Sequence, residues 1–385
     1  MIKVDGLPVM TGKSARKSWG PSLDTTEPGA GPHCVADRRL TASLPGRQAR
    51  GTAWPAGRRP APPGWQTRRM RITLLAGGVG GARFLRGLRI AAPEADITVI
   101  GNTGDDITLF GLHVCPDLDT VMYTLGGGVS EAQGWGRDDE THVVQSELTT
   151  YGAGPDWFTL GDRDFATHIV RTSMLSAGLP LSAVTRRLCE RWQPGVTLLP
   201  MTDDDVQTNV VIDDEAGRRT VHFQEWWVRL HAKVPALSFV PVGAERAVPA
   251  PGVLRAIEDA DFILLPPSNP VVSIGIILAI PRIADAVAAK TVVGVSPVIS
   301  GAPVRGMADA CLAAIGVKTT AAAVAAHYGP ALLDGWLVDT SDADAIDAAE
   351  LGGIAVRALP LFMTDAAATS AIARAAVDLA SELSR

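Results

Sequence analysis

Four aspartates, Asp105, Asp106, Asp117 and Asp119, lie close together after an apolar stretch at residues 96–101. Hard carboxylate oxygens gathered after the end of a buried strand suit Mg2+. A structural use competes: Asp119 fits the start of a helix carrying Val121, Met122 and Leu125, and Asp105 fits a turn after Gly104. Upstream, Gly77, Gly78, Gly80 and Gly81 follow the apolar residues 72–76. Such glycines bring backbone N–H groups close to an anion. A helix starting near Gly81, with Phe84, Leu85 and Leu88 on one side, points its positive end at the same place, so a phosphorylated ligand is expected. No Lys-Ser or Lys-Thr follows, which excludes a Walker A loop. The dinucleotide pattern is met by Gly78 and Gly80 but fails at Arg83. Tight strand-to-helix packing is the competing use of these glycines.

Further chemistry is scattered along the chain. In the loop at residues 151–168, Trp157 and Phe158 offer flat apolar faces, with Asp162, Arg163, Asp164 and His168 close behind. The set suits an aromatic ring with a polar tail; equally, the two aromatics anchor the loop and Asp164 caps a helix from Phe165. Residues 202–208 form a second acidic loop. Ser268, Asn269, Pro270 and Ser273 follow an apolar run at 260–265, and Ser296 follows another at 291–295. Ser268, Asn269 and Ser273 make a place for a nucleotide's phosphates or base, or simple turn chemistry.

The elements that must position these residues alternate strand and helix. Residues 72–76, the glycine helix and residues 96–101 make a right-handed β-α-β unit. Strand character returns at 196–201, 260–265, 291–295, 335–339 and 354–358, and a long Ala-rich helix ends the chain. Prolines at 266, 267 and 270 argue against continued strand or an early helix. The fold class is α/β, a Rossmann-like doubly wound, mostly parallel sheet. Residues 121–200 break the alternation and read as an inserted helical subdomain over the ligand edge. Residues 209–213 and 220–224 read as a hairpin, and Trp226 and Trp227 at its exit as packing or interface, which makes a homodimer reasonable.

Residues 1–69 are rich in Pro, Gly, Arg and Ser without sustained period, and are expected to be a disordered or mis-annotated extension of a domain spanning 70–385. They carry +8, which leaves −14 for the remainder of a chain whose net charge is −6. An acidic body argues against a broad nucleic-acid surface and makes a metal ion the natural mediator for a phosphate substrate. Four scattered cysteines indicate neither a zinc site nor a disulfide framework, and no apolar run reaches membrane length; a cytoplasmic, soluble protein is expected.

In order along the chain, GGVGGARF, NTGDD, CPDLDTVMY, WFTLGDRDFATH, PMTDDDVQT, PPSNPVVSIGIIL and SPVISGAPVRG resemble the 2-phospho-L-lactate transferase family (CofD/FbiA), its mycobacterial members most of all. The resemblance runs from Met70 to the C-terminus. It implies a step of coenzyme F-420 biosynthesis: transfer of a phosphoenolpyruvyl or 2-phospholactyl group from a guanosine-diphosphate-linked three-carbon acid to the terminal ribityl hydroxyl of the deazaflavin Fo, with Mg2+ as cofactor and GMP released. It also implies roles for single residues. Asp117 contacts metal or the Fo hydroxyl, with Asp105, Asp106 and Asp119 as the next choices. Trp157, Phe158, Asp162 and Arg163 shape the deazaflavin side. Ser268 to Pro270 with Ser296 to Gly301 hold the guanosine diphosphate part, and Asn102 and Thr103 are further ligand-binding positions. A non-catalytic sugar-nucleotide-binding regulator of the same fold is the alternative. An NAD-dependent dehydrogenase is disfavoured by the missing third glycine and by Asn102 at the end of the second strand.

Overall fold

Runs of buried aliphatic residues become the strands. The computed structural model describes residues 68–346 and 351–384, so the expectation for residues 1–69 falls, Arg68 and Arg69 apart, outside the described residues. In β1 (Arg71–Ala76) every residue after Arg71 is buried; Ile72, Leu74 and Ala76 enter one core and Leu75 another. A strand buried on both faces needs helices on both sides of its sheet.

Helix α1 (Gly78–Ala91) follows, and β2 (Asp96–Gly101) returns parallel to β1. A short hairpin, β3 (Ile107–Leu109) and β4 (Leu112–Val114), and four helices, α2 (Pro116–Leu125), α3 (Val143–Thr150), α4 (Asp162–Ser176) and α5 (Leu181–Trp192), precede β5 (Thr197–Pro200). Strands β6 (Gln207–Asp214), β7 (Gly217–His222) and β8 (Ala236–Val242) form a separate antiparallel sheet in the order β7-β6-β8. Then come α6 (Val253–Asp259), β9 (Phe262–Leu265), α7 (Gly275–Leu278), α8 (Ile283–Ala288) and β10 (Val292–Val295). A ribbon of β11 (Val298–Ile299) and β12 (Ala302–Pro303) leads to α9 (Ala308–Ala314), α10 (Ala321–Tyr328), β13 (Gly335–Val338), β14 (Ala355–Ala358) and α11 (Ala366–Leu383).

The central sheet has the order β14-β13-β10-β9-β1-β2-β5, with every pair parallel. Helices α1, α2, α5 and α11 contribute to the core on one face, and α6, α7 and α8 to that on the other. The sheet is doubly wound. From β1 the chain moves outward through β2 to β5, then crosses to β9 on the other flank. This reversal opens a crevice beyond the carboxyl ends of β1 and β9, where open α/β sheets bind their ligands.

Two local expectations change. Helix α1 starts at Gly78, so Gly78, Gly80 and Gly81 lie in its first turn rather than in a loop before it, and none of the four glycines has a positive φ. Close approach accounts for them instead. The prolines after β9 do not delay a helix: a wide helical turn, Pro270–Ile274, begins on Pro270 itself. Proline is well suited there, because the first helical N–H has no intrahelical acceptor, and Asn269 Oδ1 caps the turn by accepting from the N–H groups of Val271 (2.9 Å) and Val272 (3.2 Å).

Candidate functional site at the sheet's switch point

The first turn of α1 is pressed against its neighbours. A Cβ on Gly80 would lie 2.2 Å from the Pro267 carbonyl oxygen, one on Gly77 2.3 Å from Ser273 Oγ, and one on Gly78 2.7 Å from Asp117 Oδ1. Ser268 and Ser273 from the segment after β9, and Asp117 from the first turn of α2, therefore meet the start of α1. The Gly78 N–H donates to Asp117 Oδ1 at 2.8 Å, and the Gly77 N–H to Ser268 Oγ at 3.2 Å. Asn102, just after β2, donates from Nδ2 to Asp117 Oδ2 (3.0 Å) and to the Val272 carbonyl (3.3 Å), while its Oδ1 accepts the Gly104 N–H (2.9 Å). One carboxylate thus ties together the ends of β1 and β2 and the start of α2.

Asp105 and Asp106 are 5% and 7% exposed. Each has a buried Oδ1 with no hydrogen-bond partner, and the hydroxyls of Thr103 and Thr208 are also buried and unpartnered. Burial pushes Asp105 well above the usual carboxylate range, and the Asp117 charge pushes it further. Asp106 is raised by burial against the opposing hydrogen bond from His113. Asp117 is pushed up to about 6 by burial, with the Asn102 and Gly78 donors limiting the rise. Buried carboxylate oxygens without donors are costly alone, and a hard dication is the partner that such an oxygen set fits. Asp105 and Asp106, with the Thr103 hydroxyl, offer unpartnered oxygens that suit Mg2+, and Asp117, whose two oxygens already accept hydrogen bonds, adds its charge close by.

Asp119 is held elsewhere. The Arg171 guanidinium donates to Asp119 Oδ1, to the His113 carbonyl (3.3 Å) and towards His168 Nδ1 (2.9 Å). Held at Oδ1 by this arginine, with its Oδ2 buried and without a hydrogen-bond partner, Asp119 is a strut between α2 and α4. Asp164 does not cap α4. It accepts from Tyr123 Oη at 2.7 Å, and Glu140 caps the helix by accepting from the N–H groups of Arg163 and Asp164 (both 2.8 Å). Asp106, His113 and Cys115 also converge, their ligand atoms lying within 4.8 Å of one another. His113 Nε2 already meets Asp106 Oδ2 at 3.1 Å, and burial raises the Cys115 thiol well above its usual pKa, so the group is a hydrogen-bonded set rather than an open cation site.

The proposed ring-binding residues separate. Phe158 is 7% exposed and packs with Leu109, Val114, Leu160 and Phe165, whereas Trp157 is only partly buried at the edge of that cluster. Asp162 accepts the N–H groups of Val143 (3.0 Å) and Val144 (2.9 Å) at the start of α3, and Arg163 is exposed. Pro270 is buried, and Ser296 turns its hydroxyl onto Val298, donating to the carbonyl at 2.7 Å. Trp226 is fully buried, its Nε1 donating to the Val234 carbonyl at 2.8 Å, so its role is packing. Sequence reasoning missed Thr208 on β6, His222 at the end of β7 and Gln224 in the helical turn just beyond it, which contact the loop at 104–106; both strands carry polar residues along their length, so no local signal singles these out.

The arrangement is that of an α/β protein with a glycine-led helix and a buried acidic cluster at its topological switch point. The model of the family described as 2-phospho-L-lactate transferase CofD matches residues 72–355. A phosphoenolpyruvate transferase of Thermobifida fusca is 69% identical, over 82% of this chain and 99% of its own length. One from Streptomyces coelicolor is 67% identical over the same shares, and one from Mycobacterium sp. strain KMS is 53% identical over 81% of this chain and 99% of its own. The crystal structure of a UPF0052 family protein from Bacillus halodurans shares the fold, with a TM-score of 0.53 at 17% identity over 81% of this chain and 99% of that one. The chain belongs to the 2-phospho-L-lactate transferase CofD family and is a transferase. Among the described residues no helix is long and apolar enough to cross a membrane.

Proposed function

We propose that this transferase moves a phosphoenolpyruvyl group, or its 2-phospholactyl counterpart, from a guanosine-diphosphate-linked donor to the terminal ribityl hydroxyl of the deazaflavin Fo, releasing GMP in coenzyme F-420 biosynthesis. The names of the relatives support the enolpyruvyl donor. Residues 70–385 are the transferase domain in this reading, and the compartment is the cytoplasm. The observation that carries it is the 2.8 Å hydrogen bond from the Gly78 N–H to Asp117, which joins a carboxylate to the helix end suited to a phosphate.

The first-turn amides of α1 receive the donor's phosphate, and the glycines let Pro267, Ser273 and Asp117 pack against that turn. Asn102 and the Gly78 amide orient Asp117. Near neutral pH a carboxyl titrating at about 6 is mostly ionised, so Asp117 accepts the proton of the attacking hydroxyl. Asp105 and Asp106, with Asp117 close by, would hold Mg2+, which would supply positive charge to offset that of the donor's diphosphate. Trp157 flanks the ring, and burial in this crevice excludes water. In Asp117→Asn, which keeps an acceptor for Gly78, transfer is expected to fall by about a thousandfold or more, the scale of losing a general base. Normal turnover in a folded Asp117→Asn protein would remove Asp117 from the mechanism.

A further inference from the structure

The separate sheet β7-β6-β8 and the helical turn that follows β7 reach the acidic cluster through three consecutive carbonyls. The Gly104 carbonyl accepts the Thr208 N–H from β6 at 2.6 Å, the Asp105 carbonyl accepts Gln224 Nε2 at 3.4 Å, and the Asp106 carbonyl accepts His222 Nε2 from β7 at 3.1 Å. Contact is close enough to require glycine at 104, where a Cβ would lie 2.6 Å from Thr208 Oγ1. His222 Nδ1 accepts the Gln224 N–H at 3.1 Å, so the ring hydrogen resides on Nε2, the nitrogen that faces Asp106. Both ring nitrogens are thereby committed to backbone, and the imidazole acts as a fixed neutral donor.

We infer that His222, at the end of β7, and Gln224, in the turn just beyond it, are positioning residues that clamp the 104–106 backbone and so aim the Asp105 and Asp106 carboxylates. With their peptide planes held from behind, the two side chains keep Oδ1 atoms that are buried and unpartnered. Ligands ordered in advance bind without a further loss of conformational freedom. Outer contacts that orient metal-binding carboxylates typically alter cation affinity by about 10–100-fold when removed. The metal consequence rests on the function proposed above; the clamp itself does not.

His222→Phe keeps the ring's bulk and removes both hydrogen bonds, and His222→Gln restores a donor. Amide hydrogen exchange across residues 102–108 is expected to quicken about tenfold or more in His222→Phe, with residues 253–265 unchanged, and to return towards wild type in His222→Gln. Calorimetry with Mn2+ is expected to show about tenfold weaker binding by His222→Phe. Unchanged exchange at 102–108, or exchange that quickens equally everywhere, overturns the clamp. Faster local exchange with wild-type Mn2+ affinity overturns the aiming of the carboxylates. If the wild type binds no Mn2+, the metal part of the proposed function fails, and the exchange result still decides the clamp.

Discussion

Replacing Gly80 with alanine tests whether the glycines serve close approach. The new methyl would lie 2.2 Å from the Pro267 oxygen and 3.2 Å from its carbonyl carbon, both backbone atoms that cannot turn aside. Restoring ordinary contact separates α1 from the segment after β9 by roughly 1 Å. Overpacking of this kind costs about 1–3 kcal/mol, and alanine for glycine inside a helix offsets about 1 kcal/mol of it. The net, about 0–2 kcal/mol, corresponds to a fall in Tm of a few degrees. The effect on chemistry should be larger, because a misplacement of roughly 1 Å costs about a hundredfold in rate, or ~2.7 kcal/mol of barrier. Gly87→Ala is the control: its methyl would lie 2.5 Å from the Thr369 carbonyl oxygen of α11, an equally tight contact further along α1. The assay is kcat/KM for transfer beside a thermal melt for each variant. A Gly80→Ala enzyme with wild-type kcat/KM, or a Gly87→Ala enzyme that loses as much activity, refutes the reasoning.

Three further outcomes are expected. The raised pKa of Asp117 makes its charge a liability to the folded state: folding is favoured below the unfolded pKa of about 4, and that advantage is lost as pH rises through about 6. Asp117→Asn should therefore melt above wild type at pH 7.5 and lose that margin by pH 4, as read by melts across the range. Mg2+ added to the wild type at pH 7.5 should raise Tm, by the equivalent of about 2.7 kcal/mol at a hundredfold excess over Kd, and EDTA should reverse it; a flat melting temperature contradicts the buried-carboxylate argument. Phe158→Ala should cost about 3–4 kcal/mol in denaturant titrations, because it empties a packed cluster. Trp157→Ala should cost less and raise KM for the deazaflavin.

The sheet was largely legible because its strands are short, fully buried runs such as 262–265 and 292–295, a local property of sequence. The glycine motif was legible as a site but not in its placement. Its start at Gly78 is dictated by contacts with Pro267, Ser273 and Asp117, far off in the chain. Asp119 and Asp117, two residues apart, read alike; only Arg171, brought in by α4, separates the strut from the pocket carboxylate. Glu140, which caps α4, and Asp203, whose Oδ1 accepts the Ser182 N–H at 2.6 Å at the start of α5, act on helices distant in sequence. No local pattern marks either of them, nor the three-carbonyl clamp.

The central claim is that the switch-point pocket performs metal-dependent transfer to a deazaflavin. The most direct measurement is to incubate the purified full chain with Fo, Mg2+ and the enolpyruvyl or lactyl guanosine-diphosphate donor, and to follow products by mass spectrometry. The account predicts a deazaflavin bearing a phosphodiester together with an equal amount of GMP, both abolished by EDTA. Tight donor binding without either product would contradict it, and product formed undiminished in EDTA would contradict the role given to Asp105, Asp106 and Asp117.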